Sequence, residues 1–347
     1  MRCIRLGVDL GSILEKKPTS LQELKGKRVA IDAFNTLYQF LTIIRQPDGT
    51  PLMDAQGRIT SHLSGLFYRT CNLLEAGIKP VFVFDGEPSD LKKKTIAERV
   101  AAKMEAEEAL KAALAAGRIE EEGRLAQRTA RLNSQMIEES KLLLELMGVP
   151  CVQAPSEGEA QCAYMARQGM VDAAGSQDYD TLLFGAPVHL RNLTIAGRRK
   201  VAGRNIYTEV LPEQIFLEEN LKRLGLTREQ LVWIGMLAGT DFNEGIYGIG
   251  PKKALKLVAG KGDFSEIVDA LGEKAQGFDW KAVEQLFLNP PVVEPEKTLR
   301  VGEMRRAELV ELMCDEHGFS RERIEAAVSR AYKEPLDSSQ NSLKKWF

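Results

Sequence analysis

Two short apolar segments rich in valine and isoleucine, Lys27 to Ile31 and Pro80 to Phe84, each stop at an aspartate, Asp32 and Asp85. Runs of this length read as strands buried on both faces, the pattern of a parallel sheet covered by helices. Helical patterns lie between and after them, so the order is α/β with a largely parallel sheet, whose ligands bind beyond the carboxyl ends of the strands. Asp32 and Asp85 stand at such ends. From Leu91 to Met147 the chain turns to Ala, Glu, Lys, Arg and Leu, interrupted at Gly117 and Gly123. Helices with breaks are expected there rather than one coiled coil, because the apolar positions keep no heptad through the glycines. A second α/β stretch runs from Cys151 to about Leu211, a helical portion follows to Tyr332, and Lys333 to Phe347 reads as a polar tail.

Composition narrows this picture. The 347 residues are 44% hydrophobic and 28% charged, which supplies ample core for two sub-domains rather than one. No apolar run approaches the roughly 18 residues of a spanning helix, and Met1 to Leu10 lacks a signal-peptide stretch, so an intracellular protein without a membrane role is expected. Five scattered cysteines with no C-x-x-C pair argue against a disulfide framework and against zinc. With three histidines in the chain, metal chemistry falls to carboxylates. The net charge of −2 hides basic runs: Lys92, Lys93, Lys94 and Arg99; Arg191, Arg198, Arg199, Lys200 and Arg204; and Lys252, Lys253, Lys256 and Lys261. Basic runs separated by acidic clusters suit a protein that holds phosphates in several places and metal ions in another, although each run alone fits a solvated helix face.

The acidic positions are Asp32, Asp85, Glu157 and Glu159 in S-E-G-E, Asp178 and Asp180 in S-Q-D-Y-D, and Asp241 in A-G-T-D-F. Clustered carboxylates without histidine or thiolate favour Mg2+ or Mn2+ over zinc. Asp178 and Asp180 point to one side if their segment is extended. Glu157 and Glu159 converge only in an irregular first helical turn, which Gly158 permits. Two competing readings stand beside these: Ser156-x-x-Glu159 is a formal capping box, and D-Y-D-T-L-L matches the aspartyl-phosphatase signature without the strong apolar strand that belongs before it. Downstream, Ile249-Gly250-Pro251-Lys252-Lys253 joins the helical runs Leu231 to Leu237 and Ala254 to Val258. In this hairpin Gly248 and Gly250 let backbone amides approach a phosphate and Lys252 and Lys253 add charge.

The blocks V-A-I-D-A, T-S-H-L-x-G-x-F-Y-R-T, G-I-K-P-V-F-V-F-D-G, A-P-S-E-G-E-A-Q-C-A, S-Q-D-Y-D-T-L-L-F-G and L-A-G-T-D-F-N-E-G-I-x-G-I-G-P-K-K-A together resemble the flap endonucleases, in the family's order from about Gly7 to Phe347. The resemblance implies a 5′-nuclease (PIN-like) fold with a mostly parallel sheet. It divides the chain into an N-terminal nuclease region (1–103), a helical arch (104–150), an internal nuclease region (151–265) with the helix-hairpin at 231–261, a C-terminal helical region (266–332) and a tail (333–347). It further implies hydrolysis of one phosphodiester at the base of a 5′ flap by two Mg2+ ions, with Mn2+ as a substitute and 5′-3′ exonuclease activity alongside. Asp32, Asp85, Glu157 and Glu159 are assigned mainly to one ion, and Asp178, Asp180 and Asp241 to the other. Lys92 and Arg99, seven residues apart on one helix face, match the basic pair at the base of the arch, directed toward the scissile phosphate. Tyr38 matches the aromatic on which the terminal base stacks, Thr60 and Arg69 fall where a one-nucleotide 3′ flap is held, and the hairpin grips the downstream duplex through a K+ ion. A monomer acting in Okazaki-fragment maturation and long-patch base excision repair is implied; the alternative is a noncatalytic clamp-bound protein that merely binds DNA junctions.

Both chain ends add expectations. Gln340-x-x-Leu343-x-x-Trp346-Phe347 matches the sliding-clamp peptide pattern, with Leu343, Trp346 and Phe347 on one face of a helical turn, against the alternative of a tail docked on its own core. Residues 1 to 6 depart from the family pattern. Synthesis from Leu6, read as an initiator methionine, would leave Gly7 with a free α-amine near the carboxylates, whereas Met1 to Arg5 would block it.

Overall fold

The valine- and isoleucine-rich runs fold as adjacent parallel strands. In chain order the strands are Lys17–Pro18 (β1), Arg28–Asp32 (β2), Lys79–Phe84 (β3), Cys151–Gln153 (β4), Ala173–Gly175 (β5), Val188–Arg191 (β6), Gly197–Lys200 (β7), Tyr207–Val210 (β8) and Glu213–Phe216 (β9). The computed structural model describes residues 8–46, 49–115, 131–195, 197–200, 207–275, 279–295 and 299–332. Seven strands form one sheet in the order β1-β9-β6-β5-β2-β3-β4. The five from β6 to β4 are parallel; β9 runs antiparallel to β6, and the edge strand β1 runs antiparallel to β9. β7 and β8 pair as a separate hairpin.

Alternation along each central strand divides the interior into two layers. Val29, Ile31, Phe82 and Phe84 enter one core cluster, while Ala30, Val81 and Val83 enter the other, as the two-residue period of a strand requires. Phe82 and Phe84 are each 1% exposed, and burial of such side chains contributes about 1.5–3 kcal/mol apiece. The first cluster takes helices Ala33–Ile43 (α1) and Ser61–Glu75 (α2). The second is built with Gly158–Arg167 (α5), whose Gly-Glu-Ala-Gln-Cys-Ala start keeps side chains small where it packs on β2, β3 and β5. Both layers are needed because a parallel sheet exposes apolar side chains on each face.

One helix crosses a boundary drawn from the sequence. Lys93–Ala115 (α3) is one helix through position 103. Ser134–Leu146 (α4) buries Met136, Leu143, Leu144 and Leu146 and packs on α2 through this apolar stripe. Gly117 and Gly123 lie outside the described residues. The remaining helices are Asp180–Leu183 (α6), Leu217–Leu224 (α7), Arg228–Ala238 (α8), Pro251–Val258 (α9), Phe264–Leu271 (α10), Trp280–Leu288 (α11), Arg306–Val310 (α12) and Arg321–Tyr332 (α13). Ile324, Ala327, Val328 and Ala331 of α13 return to the β2–β3 layer and pack against α2, so the last helices complete the first core instead of standing apart. Among the described residues no helix is long and apolar enough to cross a membrane.

Candidate active site

The carboxyl ends of β2, β3 and β5 bring together chain segments that are far apart in sequence. Asp32 ends β2 and serves as N-cap of α1, its Oδ1 accepting from the Asn35 amide at 3.0 Å. Asp85 follows β3, and its Oδ1 accepts from the Gly158 amide at 2.8 Å. This contact requires glycine: a Cβ at position 158 would lie 2.5 Å from Asp85 Oδ1. Glu157 is the N-cap of α5 with extended backbone (φ −76°, ψ 124°) and caps no amide with its side chain. The capping-box reading is therefore corrected: Ser156 precedes the cap, and its hydroxyl is buried without a hydrogen-bond partner. Glu159 instead accepts from Ser176 Oγ at 2.7 Å, across at the end of β5.

Asp178 and Asp180 reach the cluster through a turn, not through the extended segment their spacing suggested. Asp178 lies in a bend and Asp180 opens α6. Asn35 Nδ2 donates to Asp178 Oδ2 at 2.6 Å, the Asp178 amide donates to Ser176 Oγ at 3.2 Å, and the Val8 amide donates to Asp180 Oδ1 at 3.1 Å. Asp241 sits in the loop between α8 and α9. Gly239 (φ 99°) and Gly245 (φ 68°) fold this loop so tightly that a Cβ on Gly245 would strike the backbone of Gly239. Thr240 and Asn243 close it, with Oγ1 donating to Oδ1 at 2.8 Å.

Lys92 and Arg99 do converge, but not from one regular helix. Lys92 ends a 3-10 turn, Asp90–Lys92, and Arg99 lies in α3. The Lys92 ammonium bonds Glu157, lies 3.6 Å from Asp241 Oδ2 and 5.6 Å from the Phe242 ring centroid. Arg99 Nη2 donates to Asp241 Oδ1 at 2.5 Å, while its Nε is buried without a partner. Burial alone would lower the Lys92 pKa, but Glu157 and Asp241 outweigh it and hold the ammonium charged.

Electrostatics identify what this cluster lacks. Burial first, then Asp85 and Asp178, pushes the Asp32 carboxyl well above its usual range. Burial with Asp180 and Asp32 does the same to Glu159, and burial with Asp241 and Asp178 to Asp180. Asp85 is raised to about 6 by burial and Glu157, against Lys92, and Asp178 to about 6 by burial and Asp241. Negative charge here exceeds the two contacting cations, and every donor is an oxygen, which fits hard divalent ions. Among the described residues no three His, Cys, Asp or Glu side chains form a ready-made metal cage.

The other expected residues separate into three groups. Tyr38 on α1 is 37% exposed, and partial burial raises its phenol pKa against the pull of nearby Arg99, so it borders the cluster instead of filling the core. Thr60, 3% exposed at the N-cap of α2, buries the side chain that was expected to meet a 3′ flap, and Arg69 is half-buried on the same helix. At the hairpin, α8 packs on α9, Gly250 is the N-cap of α9, and Pro251 is its first residue. Gly248 (φ 79°) leaves its carbonyl to Lys253 Nζ, which donates to it at 2.9 Å, and Lys252 is exposed. Gln340, Leu343, Trp346 and Phe347, and residues 1–7, lie outside the described residues. Asn35 and Ser176 were missed. Their signals were local: Asn35 stands three residues after a strand-end aspartate, where an N-cap takes its amide, and Ser176 two residues before Asp178, where a hydroxyl accepts from the backbone.

With this geometry in hand, known proteins supply the family. The XPG N-terminal domain matches residues 9–106 and the XPG I-region residues 148–241. Flap endonuclease 1 of Pyrococcus furiosus is 53% identical over 343 residues, covering 99% of each chain. Among solved structures, flap endonuclease-1 from Methanococcus jannaschii superposes with a TM-score of 0.74 at 40% identity, covering 94% of this chain and 98% of that one. The catalytic core of Rad2 in complex with DNA substrate superposes with a TM-score of 0.67 at 25% identity, covering 91% and 96%. Similarity at this level across nearly the whole length means that the chain belongs to the flap endonucleases of the XPG/Rad2 nuclease family.

Proposed function

We propose that this protein is a structure-specific DNA nuclease that hydrolyses a phosphodiester at the base of a 5′ flap, with 5′-3′ exonuclease activity, during Okazaki-fragment maturation and long-patch base excision repair within the cell. One observation carries the reading: seven carboxylates from separate segments meet at the carboxyl end of a parallel sheet, beside Lys92 and Arg99 at the foot of a long helix. Asp32, Asp85, Glu157 and Glu159 would hold one Mg2+ ion, and Asp178, Asp180 and Asp241 a second, with Mn2+ as a substitute. Bound ions of this kind polarise the phosphate and lower the pKa of water. Lys92 and Arg99 would place positive charge at the scissile phosphate once released from Glu157 and Asp241, and the unpaired Arg99 Nε offers it a donor. Tyr38 would receive the unpaired base by stacking, and Arg69 would border a 3′ flap on α2, the helix whose N-cap is the buried Thr60.

Gly248, Gly250, Lys252 and Lys253 would hold the downstream duplex. A K+ ion would join this hairpin to the DNA backbone. Gln340, Leu343, Trp346 and Phe347 would bind a sliding clamp, with the enzyme itself a monomer. End-labelled flap, nicked and plain duplex DNA incubated with Mg2+ or with chelator tests the activity: cleavage at the flap base in Mg2+ alone is expected, and uncut flap in both overturns it. Deleting residues 340–347 is expected to abolish clamp binding by calorimetry while basal flap cutting stays unchanged; full clamp affinity in the truncated chain refutes the tail assignment.

A further inference from the structure

In the basic run that begins at Arg191, this first residue does not face phosphate. Its side chain turns inward from β6, and it is 21% exposed. Nε donates to the Gln177 carbonyl at 2.9 Å, and Nη1 donates to the Tyr179 hydroxyl at 2.6 Å. The guanidinium carbon also lies 4.4 Å from the Tyr179 ring centroid, and Tyr179 is 4% exposed. Gln177 and Tyr179 flank Asp178 on both sides, and Tyr179 immediately precedes Asp180. Arg191 therefore grips both residues next to Asp178 on the turn that carries two of the seven carboxylates.

The guanidinium is itself anchored from behind. Nη1 lies 3.2 Å from Glu213 Oε2, and Arg191 and Glu213 are cross-strand partners in the β6–β9 register. Lys16 adds a second cation, 3.9 Å from Glu213 Oε2 and 5.7 Å from the Tyr179 ring centroid. The antiparallel strand β9 thus reaches the site through the Glu213 side chain. A planar fork with several donors serves two acceptors and a ring face at once, which a lysine ammonium does not reproduce.

We propose that Arg191 is a positioning residue: held by Glu213, it fixes the Gln177–Asp180 turn so that Asp178 and Asp180 are presented to a divalent ion. This rests on the nuclease reading above. Outer-shell groups that orient ligands act on metal affinity and rate, not on DNA affinity.

The test uses the full chain as wild type, Arg191→Lys, Arg191→Met and Glu213→Gln. Calorimetric titration of Mn2+ into DNA-free protein is expected to show affinity about tenfold to a hundredfold weaker in both Arg191 variants. Glu213→Gln should move the same way by less. On a labelled flap, single-turnover rates at low Mg2+ should fall in proportion and recover as Mg2+ rises, with flap affinity in Ca2+ within about twofold of wild type. Unchanged Mn2+ affinity in Arg191→Lys and Arg191→Met overturns the proposal, as does a loss of flap affinity that equals the loss of rate, which would make Arg191 a phosphate clamp. Should Arg191→Met fail to show a cooperative unfolding transition, Tyr179→Phe replaces it, since removing the hydroxyl removes one of the two anchors on the turn; its unchanged Mn2+ affinity, together with that of Arg191→Lys, is equally decisive. A wild-type chain that leaves the flap uncut overturns the nuclease reading, while the Mn2+ affinities still judge Arg191.

Discussion

Two clusters of buried ionisable groups lie in this molecule and are built on opposite terms. At the end of the parallel sheet the groups are mostly of one sign, and burial with mutual repulsion raises Asp85 and Asp178 to about 6. The second cluster joins α2, α4 and the segment before α13, and there each acid is hydrogen-bonded to a basic side chain. Asp54 Oδ2 lies 2.7 Å from Arg58 Nε and 3.1 Å from His317 Nδ1, and Glu139 Oε2 lies 3.1 Å from His62 Nε2. Burial would raise Asp54, yet hydrogen bonds from Arg58 and His317 hold it at about 2. Hydrogen bonds between these partners tie the last helices to the body. Uncompensated charge is costly to a fold and persists where a ligand of opposite sign completes it.

The largest effect should come from removing charge at the uncompensated cluster. Asp180→Asn is expected to lower the single-turnover rate on a flap by at least about 10³-fold, the scale of losing a preorganised charge-stabilising group. It should also raise the unfolding midpoint in chelator, because Asp180 is repelled by Asp241 and Asp178. A lowered midpoint would mean that the carboxylate supports the fold, and the contrast between the clusters would fail.

Next is Gly158→Ala. The added methyl meets Asp85 Oδ1 at 2.5 Å, so Asp85 must shift, and a rate loss of about tenfold to a hundredfold is expected with little change in stability. Wild-type single-turnover kinetics would show that Asp85 need not stay on the Gly158 amide. Lys92→Ala and Arg99→Ala should each slow single turnover by about 100-fold while flap affinity changes less, the signature of contacts made in the transition state. Equal losses in both would reduce them to phosphate clamps.

The smallest effect belongs to the compensated cluster. Burial, partly opposed by Glu139, lowers His62 to about 4. An imidazole whose folded pKa is depressed stays neutral in the fold while the unfolded chain takes up its proton, so stability falls as pH drops from about 6.5 toward 4. Thermal midpoints across that window should fall, and His62→Gln should flatten the dependence. His317→Ala should lower the thermal midpoint slightly, because it removes one hydrogen bond from Asp54 while those from Arg58 remain. Neither change should alter flap cutting at neutral pH; a tenfold change in rate would erase the distinction between the two clusters.

Much of this protein was already settled by local order along the chain. Val29-Ala30-Ile31-Asp32 and Val81-Phe82-Val83-Phe84-Asp85 had to be strands buried on both faces with acids at their ends, because no other element uses so short an apolar run that way. Gly158 was legible as the residue that frees the turn between Glu157 and Glu159, whereas its close approach to Asp85 was not. Three-dimensional packing determined the rest. Glu157 and Glu159 take different partners, Glu157 as N-cap bonding Lys92 and Glu159 accepting from Ser176; spacing alone did not show which. Thr60 lost its exposure to the packing of α2. Arg191 sat in a run of cations whose sign suggested phosphate, yet its strand register with Glu213 turned it toward Tyr179. Sequence sets which groups are charged and how a short segment folds, since those depend on neighbours along the chain. Which partner each charge meets depends on groups brought together from far along the chain, as with the Val8 backbone amide and the Asp180 carboxylate, 172 positions apart, and only the folded packing fixes those distances.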